Sequence, residues 1–184
     1  ADSDAKITIS GGKITVDAKG DGLDSNGSLC VSGGEIFVTG PSDNGNGALD
    51  YNGDAQITGG TIVAVGMSGM TQNFGSSSTQ GSILSNTATN TSGEVVLKDS
   101  NGNVLVSFTP TREYNSVVVS TPDVKKGSTY TLTTGDSSTT IEMSDIIYGE
   151  STQGRAANGG GQGGPNGRGQ APNGNMGGGF GNRP

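Results

Sequence analysis

Three stretches of this chain, residues 2–12, 24–34 and 50–60, superpose in one register, and that repeat limits the possible folds more than any other feature. Their first residues are 22 and then 26 positions apart, the length of one turn of a solenoid. Each opens on Asp-x-Asn/Asp, continues as an alternating run, reaches Ser/Thr-Gly-Gly and starts a second alternating run. Strand side chains alternate between faces, so the alternation assigns columns. Ile7, Leu29 and Ala55 form one inward column, and Ile9, Val31 and Ile57 the next. Past the glycines, Ile14, Ile36 and Ile62 stack, followed by Val16, Val38 and Ala64. Thr8, Cys30 and Gln56 point outward, and so do Lys13, Glu35 and Thr61. A further outward column, Thr15, Phe37 and Val63, is unexpectedly apolar.

This pattern predicts an all-β chain: a right-handed parallel β-helix of about two and a half to three coils over residues 1–80. The competing arrangement is a set of antiparallel hairpins or a sandwich, which would not keep like residues in one register. Composition agrees with stacked short strands, because 35 glycines and 29% hydrophobic residues are too lean for a conventional core. Asp2 matches the middle of a repeat, so the first coil reads as incomplete, with an edge that upstream coils or a second copy would cover.

After residues 75–78 the period is lost. Residues 94–99, an Asn-Gly turn and residues 104–108 read as a hairpin. Residues 116–120, 130–133 and 138–143 supply three further strands. Together, residues 81–149 form an expected C-terminal antiparallel β cap over the last coil. Residues 150–184 are rich in Gly, Asn, Gln and Pro and read as a disordered, flexible tail, a spacer or an adhesive arm made cationic by Arg155, Arg168 and Arg183.

The chemistry concentrates in the corners. In Gly20-Asp21-Gly22-Leu23-Asp24-Ser25-Asn26-Gly27, closely spaced acids and amides let a tight turn aim several oxygens at one point. Asp2 with Asp4 and Asp50 with Asn52 stand at equivalent places in the neighbouring repeats. Stacked carboxylates repel one another unless a hard cation is shared, so Asp2, Asp4, Asp21, Asp24, Asn26, Asp50 and Asn52 are candidate Ca²⁺ ligands. The alternative is an Asn/Asp ladder that satisfies turn amides without metal. Around Met70-Thr71-Gln72-Asn73 the acid is absent, and the ladder of sites should end there.

Several function classes are excluded. The net charge of −7 disfavours a nucleic-acid partner. With no histidine there is no Ser-His-Asp triad, and the commonest zinc ligand is missing. No EF-hand loop or phosphate-binding Gly-rich loop occurs, and no stretch is long and apolar enough to span a membrane. One cysteine, Cys30, precludes an internal disulfide, leaving a solvent-facing thiol that is incidental or links subunits. The opening residues are neither basic nor apolar, as expected if a signal peptide was removed. Glu35, Phe37 and Tyr51 are weak candidates for ligand contact, Phe37 being either a sugar-stacking platform or part of the packing.

The runs Asp21-Gly22-Leu23-Asp24-Ser25-Asn26-Gly27 and Gly45-Asn46-Gly47-Ala48-Leu49-Asp50-Tyr51-Asn52-Gly53 resemble those of bacterial carbohydrate-binding domain-containing surface proteins. So do Gly69-Met70-Thr71-Gln72-Asn73-Phe74-Gly75, Tyr114-Asn115-Ser116-Val117-Val118-Val119-Ser120 and Lys126-Gly127-Ser128-Thr129-Tyr130-Thr131-Leu132. The resemblance covers roughly residues 1–149. It implies a calcium-bearing right-handed β-helix, secreted or displayed at the cell surface, with affinity for cellulose or an acidic plant polysaccharide such as polygalacturonate. The family pattern carries onto Asp21, Asp24, Asn26, Asp50 and Asn52. The leading expectation is therefore a non-catalytic, polysaccharide-binding module. A self-assembling subunit of a surface fibre or matrix, stacked head to tail as a homo-oligomer or filament through the open N-terminal coil, is the alternative. A pectate-lyase-like enzyme is the third expectation. Such a lyase needs a basic residue beside the metal, for which Lys19 is the nearby candidate.

Overall fold

The structure, a computed structural model, describes residues 4–152, and the chain over this span is all-β. Its first part runs through β1 (Lys6–Asp17), β2 (Leu23–Ser25), β3 (Ser28–Thr39), β4 (Leu49–Tyr51) and β5 (Ala55–Gly66). The long strands pair in parallel in the register that the repeat predicts. Ile7 lies opposite Leu29 and Leu29 opposite Ala55, and Ile14, Ile36 and Ile62 are likewise aligned. A second, two-stranded parallel ladder sets Leu23 against Leu49, Asp24 against Asp50 and Ser25 against Tyr51.

The Gly-Gly step bends each long strand at the same point. Gly12, Gly34 and Gly60 have φ of 86°, 98° and 89°, the left-handed region that side chains disfavour. The glycine before each corner serves a different need. A Cβ on Gly33 would stand 2.6 Å from the Ser10 carbonyl oxygen, and one on Gly59 2.5 Å from that of Ser32. The repeats stack so closely there that only glycine fits.

The second part adds β6 (Ser82–Thr91), β7 (Val95–Asp99), β8 (Val104–Phe108), β9 (Tyr114–Ser120), β10 (Thr129–Thr134), β11 (Ser137–Glu142) and β12 (Ile147–Tyr148). Here the arrangement departs from a purely parallel stack with a cap. β9 pairs antiparallel with β5, β6 antiparallel with β9, and β12 parallel with β6. The largest sheet is therefore mixed, in the order β1-β3-β5-β9-β6-β12, and takes strands from both halves of the chain. An antiparallel sheet, β11-β10-β7-β8, forms the remainder.

Two cores result. Ile9, Val31, Ile36, Val38, Ile57 and Ile62 pack between the ladders, with Phe74, Leu84 and Val118. On the other side of β5, Val63 and Val65 join Val117 and Val119 of β9 against Val95, Leu97, Leu132 and Ile141 of the antiparallel sheet. This explains the apolar outward column. Val63 is fully buried because the four-stranded sheet covers that face, and Phe37 stacks on Phe108 with ring centroids 5.1 Å apart and planes at 21°. The antiparallel strands thus pack on a face as well as closing an edge, and Phe37 belongs to the packing.

Beyond the expected start of the tail the chain is still held. The Ser151 hydroxyl accepts from the Asn73 amide at 2.9 Å, and the Thr152 hydroxyl from the Thr71 amide at 2.8 Å. The rest of the expected tail, with Arg155, Arg168 and Arg183, lies outside the described residues, as does Asp2. Among the described residues no helix is long and apolar enough to cross a membrane.

Candidate functional site

Two regions gather chemistry: the acidic corner column and a cleft beneath the β5 bend. In the column, Asp24 and Asp50 are register partners on adjacent parallel strands, which sets their Cα atoms about 5 Å apart. The register continues past the strands, since the Asn52 amide donates to the Ser25 carbonyl at 3.1 Å and the Gly53 amide to the Gly27 carbonyl at 2.7 Å. Asn26 and Asn52 therefore lie at matched positions two residues beyond the acid pair. Asp24, Asn26 and Asn52 are exposed and Asp50 is half-buried. Asp4 is exposed ahead of β1, where the Ser28 amide donates to the Ala5 carbonyl at 3.0 Å, so it holds the matching place in the first repeat.

Asp21 does something else. Its Oδ1 accepts from the Gly47 amide at 2.7 Å, so it binds the next turn of chain as the metal-free ladder would. Asp43 plays a similar local part, accepting from the Gly45 amide at 2.7 Å and the Asn46 side chain at 2.9 Å. Among the described residues no three His, Cys, Asp or Glu side chains converge on one point. A cation at the column would thus rest on Asp24 and Asp50, completed by the Asn26 and Asn52 amide oxygens and by carbonyls. That is an all-oxygen set, which fits calcium.

The column ends where the acid is lost, through a specific device. Gln72 receives the Tyr51 amide on its Oε1 at 2.8 Å and donates its Nε2 to the Tyr51 carbonyl at 3.0 Å. A side-chain amide thereby takes the place of a third strand and closes the β4 edge. The Tyr51 hydroxyl donates to the Asn73 carbonyl, and burial, with the nearby Asp54 charge, pushes its pKa up to about 12. Tyr51 is consequently a structural hydroxyl. Glu35 is exposed and faces Lys13 at 3.5 Å on the neighbouring strand. Cys30 is half-exposed, level with Thr8 and Gln56.

A loop from the second half clamps the first two repeats. The Arg112 guanidinium pairs with Asp17 and donates to the Ala18, Thr39 and Gly40 carbonyls, while the Thr111 hydroxyl donates to the other Asp17 oxygen at 2.8 Å. The Thr111 bond and then Arg112 hold the Asp17 carboxyl below its ordinary value of 3.8.

The cleft is the feature that sequence reasoning missed. It is an open cavity of about 420 Å³ lined by Thr58, Thr79, Pro122, Lys125, Lys126 and Ile146, among others. Its floor is braced by Gln80, whose Nε2 donates to the Gly60 carbonyl and the Ser120 hydroxyl, both at 2.8 Å. Tyr130 sets the lysine loop: its hydroxyl accepts from the Lys125 amide at 2.8 Å and donates to the Asp123 carbonyl at 2.6 Å. Lys126 also reaches Asp145 at 3.1 Å. The signal available in the sequence was Lys125-Lys126 itself, the chain's one pair of adjacent basic residues. Its partners lie more than forty positions upstream, at Thr58 and Thr79, so only folding joins them.

No protein-family model, curated protein or solved structure matches this chain.

Proposed function

We propose that this chain is a non-catalytic, extracellular module that binds an acidic polysaccharide in the cleft under the β5 bend. The observation that carries this reading is the placement of Lys125 and Lys126 beside the Thr58 and Thr79 hydroxyls, in an open cleft on a chain of net charge −7. Paired ammonium groups suit the repeated carboxylates of a uronate chain, and threonine hydroxyls suit its ring hydroxyls. An open groove also accommodates a polymer that continues past both ends, with polygalacturonate as the preferred substrate class and cellulose as the neutral comparison.

In this reading the repeats form a right-handed parallel β-helix, and calcium at Asp24 and Asp50 offsets the repulsion between the stacked carboxylates. The aligned acid pair and its amide neighbours support that role. Arg112 is engaged with Asp17 and three carbonyls, which argues against it as the base of a lyase.

The test is a pull-down on polygalacturonate and on cellulose, with the Lys125→Ala/Lys126→Ala chain compared with the unaltered one. Loss of polygalacturonate binding with the far-ultraviolet circular dichroism of the folded chain retained is expected, together with weakening at high salt. Equal retention of the double variant would overturn the assignment of the cleft. Chelation should lower the melting temperature, and the Asp24→Asn/Asp50→Asn chain should lose that response.

A further inference from the structure

We propose that the lysine cleft is one half of a two-part groove, in which a uronate sits beside Lys125 and Lys126 and a neutral sugar sits next to it, in a second hollow beside Asp123. This rests on the polysaccharide reading above and narrows its ligand: the cleft alone takes any uronate chain, whereas the whole groove favours one in which uronate and neutral sugars alternate.

The second hollow opens between the end of β7, β8 and the start of β10, with a volume of about 240 Å³. Lys125 lines both it and the cleft, so the two meet at that side chain. Their charge differs. The cleft presents Lys125 and Lys126, whereas the second hollow sets Asp99 and Asp123 beside Lys125. A third hollow, of about 220 Å³, shares Ser128 and Thr129 with the second, and its charged lining residue is Glu142. Along this path the lining changes sign once, from cationic to anionic.

One buried tyrosine fixes the place of the change. Asp123 and Lys125 flank the buried Val124, and the Tyr130 hydroxyl holds both of them, donating to the Asp123 carbonyl and accepting from the Lys125 amide. Both bonds use backbone groups, and the two exposed residues keep their charged ends at the surface. The two acids of the hollow differ in what they offer. Asp99 is occupied by the Asn101 and Asn103 amides and by the Asn103 side chain. Asp123 presents an exposed carboxylate, an acceptor suited to the hydroxyls of a sugar ring, and Leu105 supplies an apolar wall for its C–H face. A second uronate there would set its own carboxylate against Asp123, and like charges brought together in one hollow are costly. A neutral sugar meets no such repulsion.

Isothermal titration calorimetry of the full chain tests this, with a galacturonate oligomer and an alternating galacturonate–rhamnose oligomer of equal length as probes. The alternating oligomer should bind roughly tenfold tighter at low salt, and the margin should narrow as salt screens the exposed Asp123 charge. The galacturonate oligomer carries more carboxylates, so the lysines alone would give the opposite order. Asp123→Asn should remove most of the preference by strengthening binding of the galacturonate oligomer, and Asp123→Lys should reverse it, both variants keeping the far-ultraviolet circular dichroism of the folded chain. Equal or tighter binding of the galacturonate oligomer by the unaltered chain, or a preference that survives Asp123→Lys, would overturn the two-part groove and leave the lysine cleft standing. Binding of neither probe would overturn the cleft reading and the groove with it.

Discussion

At the residue scale, the best-defined group is Tyr51. Its ring is packed among the inner core and its hydroxyl ends on the Asn73 carbonyl. Tyr51→Phe keeps the ring and removes the donor, leaving a carbonyl without that partner, so urea denaturation should show a loss of about 1–2 kcal/mol. The raised pKa has a definite sign. A folded value of about 12 against the ordinary 10.0 means that the folded state holds this proton more tightly. The associated stability is complete below pH 10 and is lost as pH rises through the folded value. Burial raises Tyr114 as well, so ultraviolet titration of the phenols should show tyrosines ionising after an ordinary one, and Tyr51→Phe should diminish that late step by one phenol.

At the level of elements, the stack depends on how closely its bends approach. Gly59→Ala would drive a methyl group to 2.5 Å from the Ser32 carbonyl oxygen, a backbone atom held in the β3–β5 pairing. The strands must separate, and an overpacking loss of about 1–3 kcal/mol is expected in a denaturant titration. Gly11→Ala, the same substitution two repeats earlier, puts a methyl group where nothing lies within 4 Å and should leave stability unchanged, which makes the pair an internal control. The antiparallel sheet shows why face assignments alone did not describe the packing. Val63 is outward with respect to the inner core and yet fully buried, because β7, β10 and β11 cover it.

For the whole molecule, charge sets the acid limit of stability. Asp17 is held low by Thr111 and then Arg112, Asp99 by Asn103, and Asp145 by the Ile146 amide and then Lys126. Each folded carboxyl thus has a pKa below the ordinary 3.8, so its stabilising contribution is present above that value and disappears as pH falls through the lower folded one. The denaturation midpoint should decline as pH drops below about 4. Asp17→Asn should lower the midpoint at neutral pH and make the acid decline shallower, because Arg112 then clamps the first two repeats without its charged partner.

What the sequence determined by itself is the stacking of residues 6–66: period-two alternation names the inward columns, and the recurring Ser/Thr-Gly-Gly names the bends. These are local properties that repeat along the chain, so one linear pattern carries them, and the Asp24–Asp50 alignment follows from the same register. Four strands escaped notice: β2 and β4, three residues each within segments that read as corners, β6 because its outer half, Asn86 to Thr91, is polar apart from Ala88, and β12 because it has only two residues. The tertiary structure alone decided that β9 closes β5, that a second sheet buries Val63, and that Lys125 and Lys126 meet Thr58 and Thr79. Each is a contact between segments that share no period, and strand pairing over such separations depends on which edges and faces remain open once the local elements have formed.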